Sequence, residues 1–453
     1  MCHLQLNKLA AMFSRYSQIL LLHCFLTLSC ATNAALAYQA TPEIPKKQLE
    51  DAEKAKSDTK ADSNAKDNKN PAPRPSARKT YTRAELLART RMLAASRMPN
   101  MWGDFFDGTP YPLTINEPGG LSGDWQNENN TAGDPIGRLQ IPRTGGLALR
   151  RVKLAENSSP LPIDRWIGNY NLFDSVDGIG DVTRFTFGVE RTFDDGLKSF
   201  EARISFAHTL SSNQIYRVPP PQNPPRLPFV TRNLDDEFGN LVLTYKQIVR
   251  PLDDGIVTAG IGISLPTADD QFLFNQNPTN PILLMKVHND AAHLMPFIAF
   301  MRQPNEKLMI QGFAQIDFAT SANPVLIRTS AQPGELSDAA KIEAVPILFF
   351  DIGLAYKWIE NREGLINAVT PLLELHYSLG MRDRDQLQFP RSGPPGIFNF
   401  EPSGRISVLN LTAGTSLQMG DSIFVRPAVS IPLSNGAGAN YDYEFGVHVN
   451  ILH

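Results

Sequence analysis

The feature that most constrains the fold is a strict alternation of apolar and polar residues. From 441 to 451 the odd positions are Tyr, Tyr, Phe, Val, Val and Ile, and the even positions are Asp, Glu, Gly, His and Asn. Successive side chains of a β-strand point to opposite faces, so this segment predicts a strand with one apolar and one polar face. The same period occurs at 257–265, 350–358, 373–379 and 409–417. The chain is therefore predicted to be all-β.

Alternation by itself fits both a soluble β-sandwich and a transmembrane barrel. The predicted strands are about 10 residues long, which suits a tilted membrane crossing, whereas soluble strands usually have ~5–6 residues. Aromatic residues stand at strand ends, where an interfacial girdle would place them: Tyr356, Trp358, Tyr377, Tyr441 and Tyr443. No segment beyond the N-terminal region has the length and apolarity of a transmembrane helix. These features favour an antiparallel transmembrane β-barrel over the sandwich.

We predict about 12 strands, with a range of 10 to 14, because bacterial single-chain barrels prefer even numbers. The predicted strands are 183–191, 199–207, 240–248, 256–265, 282–289, 294–301, 307–318, 347–358, 370–379, 406–417, 422–431 and 441–451. The pair within 282–301 has the weakest pattern, since both its faces are apolar. An extra pair between 163 and 173 stays open.

Connections of two kinds separate these strands. Turn-forming triplets with glycine at 194–196, 253–255 and 419–421 predict tight turns at one end of the barrel. Two long segments rich in proline, 218–232 and 382–403, predict extracellular loops at the other end.

The N-terminal 37 residues have the pattern of a bacterial signal peptide. Lys8 and Arg15 precede an apolar run at 19–28, and the small-x-small sequence at 35–37 predicts cleavage before Tyr38. An uncleaved anchor helix is the alternative, but the apolar run is shorter than the roughly 20 residues that span a bilayer. We therefore expect export to the bacterial outer membrane.

All three cysteines, Cys2, Cys24 and Cys30, fall within this N-terminal segment. The mature chain would contain none, which excludes disulfides and cysteine-ligated metals in it. Residues 28–31 loosely resemble a lipobox, which leaves lipidation of Cys30 as a second reading of the same segment.

Charge divides the remaining chain near residue 100. Residues 38–99 carry 14 basic and 8 acidic residues, whereas 100–453 carry 27 and 38. The first part is poor in large apolar residues and predicts a disordered linker, with a short helix at 82–96. Export makes nucleic acid an unsuitable partner for this basic linker, and a cell-wall polymer is the partner we expect. The second part, 100–453, is the predicted barrel.

The predicted inward rows contain charges of both signs. The lumen-lining candidates are Arg184, Glu190, Glu201, Arg203, Lys246, Asp351, Lys357, Glu374, His376, Arg426, Glu444 and His448. In a narrow barrel such charges either line an aqueous path or pair into a network that fills it, and the sequence leaves both arrangements open.

Catalytic and cofactor motifs are missing from the sequence. It contains no HExxH, GxSxG or P-loop motif, and no GxGxxG between a strand and a helix. His376 and Ser378 share one strand and one face, which fits ordinary polar lining better than a hydrolytic pair. We predict no enzyme activity, no cofactor and no metal site.

The residues at 239–246 and 259–267, Gly-Asn-Leu-Val-Leu-Thr-Tyr-Lys and Ala-Gly-Ile-Gly-Ile-Ser-Leu-Pro-Thr, resemble the outer-membrane family named for the MetA pathway of phenol degradation. Asn240 and Ala268 stand where that family usually has Asp and Gly. The resemblance implies a passive transporter or channel for small molecules, of a hydrophobic or aromatic kind, in contact with outer-membrane lipid. The alternative is a structural or adhesive envelope barrel with a plugged lumen.

Overall fold

A computed structural model of the chain describes fifteen stretches of residues. They are 81–104, 113–116, 139–141, 153–176, 180–207, 213–216, 229–231, 237–274, 283–327, 337–361, 364–382, 386–389, 396–400, 407–434 and 441–453. All of them belong to one unit that runs from Tyr81 to His453. The predicted signal peptide, the lipobox reading of Cys30 and most of the predicted linker lie outside the described residues.

Twelve long antiparallel strands form a closed barrel. They are β1 (Arg165–Val176), β2 (Gly180–Phe193), β3 (Lys198–Ala207), β4 (Leu241–Leu252), β5 (Gly255–Leu265), β6 (His293–Arg302), β7 (Leu308–Ala319), β8 (Ile347–Tyr356), β9 (Ile366–Gly380), β10 (Ser407–Met419), β11 (Ile423–Pro432) and β12 (Tyr443–Leu452). Each strand pairs with the next, and β12 pairs with β1, where Val449 lies opposite Gly168. Closure leaves no long strand with an unpaired edge.

The side-chain pattern of the wall is the inverse of that of a soluble protein. On β8 the outward residues Phe350 and Ile352 are each 48% exposed, whereas on β1 and β2 the inward Arg165 and Glu190 are fully buried. A soluble sandwich would bury the apolar face and expose the charged one. The alternation therefore builds a barrel of the transmembrane type, as the sequence predicts.

Short turns gather at one end of the barrel, which we call the turn end. Turns at 194–197, 253–254 and 420–422 join β2 to β3, β4 to β5 and β10 to β11, at the three places where the sequence predicts tight turns. In the first of them Asp194, Asp195 and Gly196 all have positive φ values, of 55°, 59° and 82°. The first residue of β1 and the end of β12 are also there, since Arg165 pairs with Leu452.

The opposite end, the loop end, carries two smaller sheets. Six strands form one of them: Asn213–Tyr216, Phe229–Thr231, Gln271–Phe274, Leu283–Val287, Asn323–Ile327 and Ser337–Ile342. Four strands form the other: Leu113–Asn116, Leu139–Ile141, Gln386–Phe389 and Gly396–Phe400. The two predicted proline-rich loops thus contain short strands of these sheets. Two further two-residue strands, Glu237–Phe238 and Ile359–Glu360, pair with β3 and β9.

The predicted strand count is correct, but one predicted strand is not in the wall. The segment 282–289 contributes Leu283–Val287 to the six-stranded sheet, because five residues without alternation are too short to cross the barrel. Its place is taken by β1, in the region where the sequence left an extra pair open. The closing strand begins at Tyr443. Tyr441, which the sequence places in the interfacial girdle, is instead buried with its ring against Phe173.

One helix, α1 (Arg83–Ser96), lies at the turn end. The side chain of Thr82 accepts a hydrogen bond from the backbone of Glu85, and the carboxylate of Glu85 accepts one from the backbone of Thr82, which together form a capping box. The helix occupies the range in which the sequence predicts one, and its buried Leu93 belongs to an apolar cluster that includes Leu197 and Ile248. Among the described residues, no helix is long and apolar enough to cross a membrane.

Candidate functional site: the occupied lumen

Two stretches of the chain that precede β1 occupy the interior of the barrel. We call residues 98–104 and 153–162 the two lumen segments, and every residue in both is buried. They run antiparallel, with the Met101 N–H donating to the Ser158 carbonyl at 2.8 Å and the Asn157 N–H donating to the Trp102 carbonyl at 2.9 Å. The lumen is therefore filled by a short hairpin-like pair of the protein's own chain.

Inward side chains from all around the wall hold this pair. Lys246 Nζ of β4 donates to the Ser159 carbonyl at 2.9 Å, and the Thr258 hydroxyl of β5 donates to the Pro160 carbonyl at 2.6 Å. Gln315 of β7 accepts a hydrogen bond from the Leu154 N–H at 2.8 Å. These contacts satisfy backbone groups that would otherwise be buried without partners.

The predicted lumen-lining residues fall into two groups, those on the inner face of the barrel and one at its turn end. Eleven are buried on the inner face of the wall: Arg184, Glu190, Glu201, Arg203, Lys246, Asp351, Glu374, His376, Arg426, Glu444 and His448. Lys357 lies after the end of β8, at the turn end, where its ammonium donates to the Ser96 carbonyl of α1 at 3.0 Å. It therefore contacts the helix across the mouth rather than the lumen.

One group of these charges links β1 to β4. Arg165 contacts the carboxylates of Glu190 at 2.8 Å and Glu201 at 2.9 Å, Lys246 contacts Glu190 at 2.8 Å, and Arg203 contacts Glu201 at 2.7 Å. All five side chains are at most 4% exposed. Each charge has an opposite partner, which offsets the large cost of burial.

A second group joins the lumen segments to β8 and β9. Lys153 Nζ lies 2.5 Å from Asp104 and 2.9 Å from Asp351, and His376 Nδ1 lies 2.8 Å from Asp351. The Glu374 carboxylate accepts hydrogen bonds from the backbone N–H groups of Trp102 and Gly103, both at 2.7 Å. Asp104 and Lys153 belong to the segments and the other charged groups to the wall, so this ionic cluster fastens one to the other.

The oxygens of Asp104, Asp351 and the nitrogen of His376 are close enough together to suggest a metal site. The Lys153 ammonium already lies between the two carboxylates, so it supplies the positive charge there. The hydroxyl of Ser378 makes no hydrogen bond to His376. Nothing in this arrangement resembles a nucleophile activated by a base.

A further group of titratable residues lies at the loop end, where Asp270, His288 and Asp290 come together. Partial burial would raise the pKa of Asp270, but hydrogen bonds from Lys286 Nζ at 2.8 Å and from the Asn289 N–H at 2.9 Å lower it below its usual value. The carboxylate is already engaged by the protein's own donors.

Asn157 makes the largest number of contacts in the second lumen segment. Its carbonyl accepts from Arg165 at 2.8 Å and from Arg203 at 3.2 Å, and its side-chain oxygen accepts from Arg426 and from Asn450 at 2.8 Å. It has a positive φ of 45°, an uncommon conformation that these contacts hold in place. A single residue thus connects the segment to strands β1, β3, β11 and β12.

Trp102 anchors the first lumen segment to β12. Its indole stacks on the His448 ring with centroids 4.5 Å apart and planes within 6°. The neighbouring inward position on β12 is Gly446, where a Cβ would lie 2.6 Å from the indole. The glycine leaves the space that the ring fills.

One side of the lumen is apolar rather than charged. We call Val242, Met295, Phe297, Ala299 and Phe313, the inward residues of β4, β6 and β7 that cluster together, the apolar wall. Residues Met101, Leu154 and Ala155 of the lumen segments complete the cluster. Between β4 and β6, the inward row of β5 carries two glycines at 260 and 262, where a Cβ would lie 2.5 Å from the Phe297 ring and 2.9 Å from Leu154 respectively.

The sequence predicts neither the lumen segments nor the apolar wall. The two segments lack alternation, and nothing in the sequence of 98–104 or 153–162 indicates that they are buried inside a barrel. The sequence does contain one indication of the apolar wall, because the predicted strand at 294–301 is apolar on both faces. One of these faces points outward from the barrel, and the other packs against the lumen segments.

Several solved structures align with this chain at low sequence identity and low TM-scores. An outer membrane channel from Pseudomonas putida F1 is 12% identical with a TM-score of 0.40, over 65% of this chain and 97% of the other. The CymD monoaromatic hydrocarbon channel is 9% identical with a TM-score of 0.37, over 68% and 97%. The beta domain of the Bordetella autotransporter BrkA is 11% identical with a TM-score of 0.36, over 64% and 100%. Likeness of this degree assigns no function to the chain.

No family model matches the sequence, and no curated protein sequence matches it either. The resemblance to the phenol-degradation family is therefore not confirmed. The described residues themselves define the class, a closed barrel of 12 antiparallel strands whose lumen is occupied by its own chain.

Proposed function

We propose that the protein is an outer-membrane transporter for small molecules with an apolar body, closed at rest by the two lumen segments. The observation that carries this proposal is the apolar wall. A barrel that only needed to be filled could do so with ion pairs, as it does along β1 to β4. A cluster of apolar side chains on one side of the lumen instead offers an apolar solute a surface to contact.

The proposed membrane location is supported by the outer surface. Large apolar side chains face outward on most strands, including Phe187 at 52% exposed and Ile298 at 53%. Aromatic residues lie near the turn end, where Trp166 and Trp358 are 53% and 55% exposed. Such a surface is stable in lipid and costly in water. We infer that the turn end faces the periplasm, because short turns lie on that side in bacterial barrels.

Opening requires that Met101, Leu154 and Ala155 leave the apolar wall. The segments are held mainly by polar and ionic contacts, which water can replace, rather than by a large apolar core. The helix α1, which precedes the first lumen segment, is held at the mouth by exposed ion pairs, Arg83 to Asp194 and Arg97 to Asp421, each at 2.8 Å. Exposed pairs contribute only about 0–1 kcal/mol each, so they add little to the apolar packing of Leu93 in holding α1 at the mouth.

The test is uptake of the apolar fluorophore N-phenylnaphthylamine by Gram-negative cells that express the full chain. We expect faster uptake than in cells without it, and slower uptake with Phe297→Asn, which puts an amide on the apolar wall. Thr370→Asn, at a buried inward position of β9 outside that wall, is the matched control and should behave as wild type. Equal uptake with and without the protein would refute the proposal. Heat-modifiable migration in detergent gels and outer-membrane fractionation check that each variant is folded and inserted.

The buried ion pairs favour a second candidate, a structural or adhesive barrel whose lumen stays closed. In that case residues 38–99 would bind cell-wall polymer, as their charge predicts. Loss of wall co-sedimentation when 41–80 are deleted, together with no solute uptake, would support this candidate over the transporter.

A further inference from the structure

A cavity of about 320 Å³ lies at the turn end, between α1, the end of the second lumen segment and the wall. Its apolar lining includes Leu93 of α1, Leu161 of the segment and Phe424 of β11. Ala94 of α1 also lines it and is exposed, so the cavity is reached from solvent on that side. A volume of this size is within the range of roughly 300–1,000 Å³ that small-molecule sites have.

Arg426 of β11 lines the same cavity and is fully buried. Its guanidinium donates only to neutral oxygens, to the Asn100 carbonyl at 2.8 Å, the Met101 carbonyl at 3.3 Å and the side chain of Asn157. Its Nε has no hydrogen-bond partner, and no carboxylate of the described residues lies within ion-pair distance. A buried charge without an opposite partner is costly.

The other buried cations of the lumen differ from Arg426 in this respect. Each of them contacts at least one carboxylate at ion-pair distance: Lys153, Arg165, Arg184, Arg203 and Lys246. The fold therefore compensates these charges and leaves one guanidinium at the edge of a cavity uncompensated.

The acidic residues of the cavity lining are already engaged. Asp164 accepts hydrogen bonds from the backbone and hydroxyl of Thr192, and Asp195 contacts Arg83 at 2.7 Å. They do not reach Arg426, but their charges disfavour a ligand with two negative charges. Arg91 and Arg97 of the helix also line the cavity but lie toward solvent, so Arg426 is the buried cation of the lining that has no carboxylate partner. A buried guanidinium beside apolar side chains fits a single carboxylate on an apolar body.

We propose that this cavity binds a small monocarboxylate, with its oxygens on the free Nε of Arg426 and its apolar body against Leu93, Leu161 and Phe424. The site is formed by residues present in the closed barrel. It goes beyond the proposed transport function and does not depend on it.

Isothermal titration of benzoate into the full chain in lipid nanodiscs tests this site, with benzamide as the uncharged analogue. We expect benzoate to bind at least about tenfold more tightly than benzamide. This factor corresponds to the lower end of the free energy that a charge-assisted hydrogen bond contributes. Arg426→Gln should remove that preference. Because this variant also loses contacts to the lumen segments, its fold is checked by heat-modifiable migration.

Ala94→Phe leaves Arg426 untouched and fills the cavity, so it should abolish benzoate binding. Ala95→Phe is the matched control, since Ala95 is exposed on the same helix and does not line the cavity. Undiminished binding by Ala94→Phe would overturn the location. Equal affinity for benzoate and benzamide, or no binding of either, would overturn the site itself. None of these results depends on whether the barrel transports a solute.

Discussion

Lys153 is the residue through which the closed state can be tested most directly, because its ammonium holds the first lumen segment and the wall together. It lies 2.5 Å from Asp104 of the segment and 2.9 Å from Asp351 of β8, and all three side chains are at most 1% exposed. Lys153→Met keeps the length of the side chain and removes the ammonium that both carboxylates share, which leaves His376 as their one basic partner among the described residues. Removing one partner of a buried ion pair costs about 3–5 kcal/mol.

This cost applies to the closed state, because the carboxylates are hydrated once the segments leave the wall. Each 1.4 kcal/mol changes an equilibrium about tenfold, so the ratio of open to closed barrels should rise roughly 100- to 4,000-fold. Single-channel recording in planar bilayers measures that ratio as open probability. Lys307→Met, at an exposed lysine in the turn after β6, is the matched control and should leave the open probability unchanged.

The triple variant Lys153→Met, Asp104→Asn and Asp351→Asn removes the carboxylate charges as well. Its open probability should return most of the way to the wild-type value. If Lys153→Met inserts as a heat-modifiable barrel and its open probability equals that of the wild type, the ionic cluster does not hold the lumen segments in place.

Three further perturbations have expected outcomes. Gly446→Val places a Cβ 2.6 Å from the Trp102 indole, so it should displace the ring from its stack, reduce the near-ultraviolet circular dichroism of the barrel and raise the open probability. Gly196→Val forces a β-branched residue into a left-handed turn, with φ of 82°, and should lower the free energy of unfolding in lipid vesicles by about 1–2 kcal/mol. Acidification should loosen the loop end around Asp270. Since its folded-state pKa is lowered by Lys286, the stabilisation is present above the ordinary pKa and is lost as the pH falls through the lowered value, which limited proteolysis across that range would detect.

Each of these has a result that contradicts it. Gly168→Ala, where no atom lies within 4 Å of a new Cβ, is the control for both glycine variants and should leave stability and conductance unchanged. A Gly446→Val barrel with wild-type dichroism would mean that the indole does not depend on the space at 446. Protease sensitivity that is independent of pH, or equally pH-dependent in Asp270→Asn, would exclude that carboxylate as the cause.

Much of the barrel follows from the sequence, because each strand of a membrane barrel has one face toward lipid and one toward the lumen, and the two faces require different side chains. The period of two in segments such as 257–265 specifies which side chains face lipid and which face the lumen, and the glycine triplet at 194–196 specifies a turn. Where the period fails, prediction fails. The apolar residues of Arg165–Val176 do not alternate cleanly, so the sequence does not place this segment among the 12 predicted strands, and it places 282–289 there instead.

The candidate site could be predicted only as a set of positions. The inward rows of the predicted strands contain eleven of the buried charged and histidine residues of the wall, since parity alone decides their face. Lys357 has the right parity but lies beyond the end of β8, where the wall stops. The ion pairs depend on which strands are neighbours and on their stagger, and neither is encoded in the pattern of one strand.

The sequence alone predicts strands with one apolar and one polar face and favours their closure into a barrel, because alternation relates residues that are neighbours in the chain. What fills the interior depends on contacts between residues that are far apart in the chain. Trp102 meets His448, and Asn157 meets Arg426, across hundreds of residues, and these contacts exist only once the barrel has closed around the two segments. The apolar wall also depends on the tertiary structure. On β6 the inward and the outward residues are both apolar in sequence, and only their packing partners distinguish them.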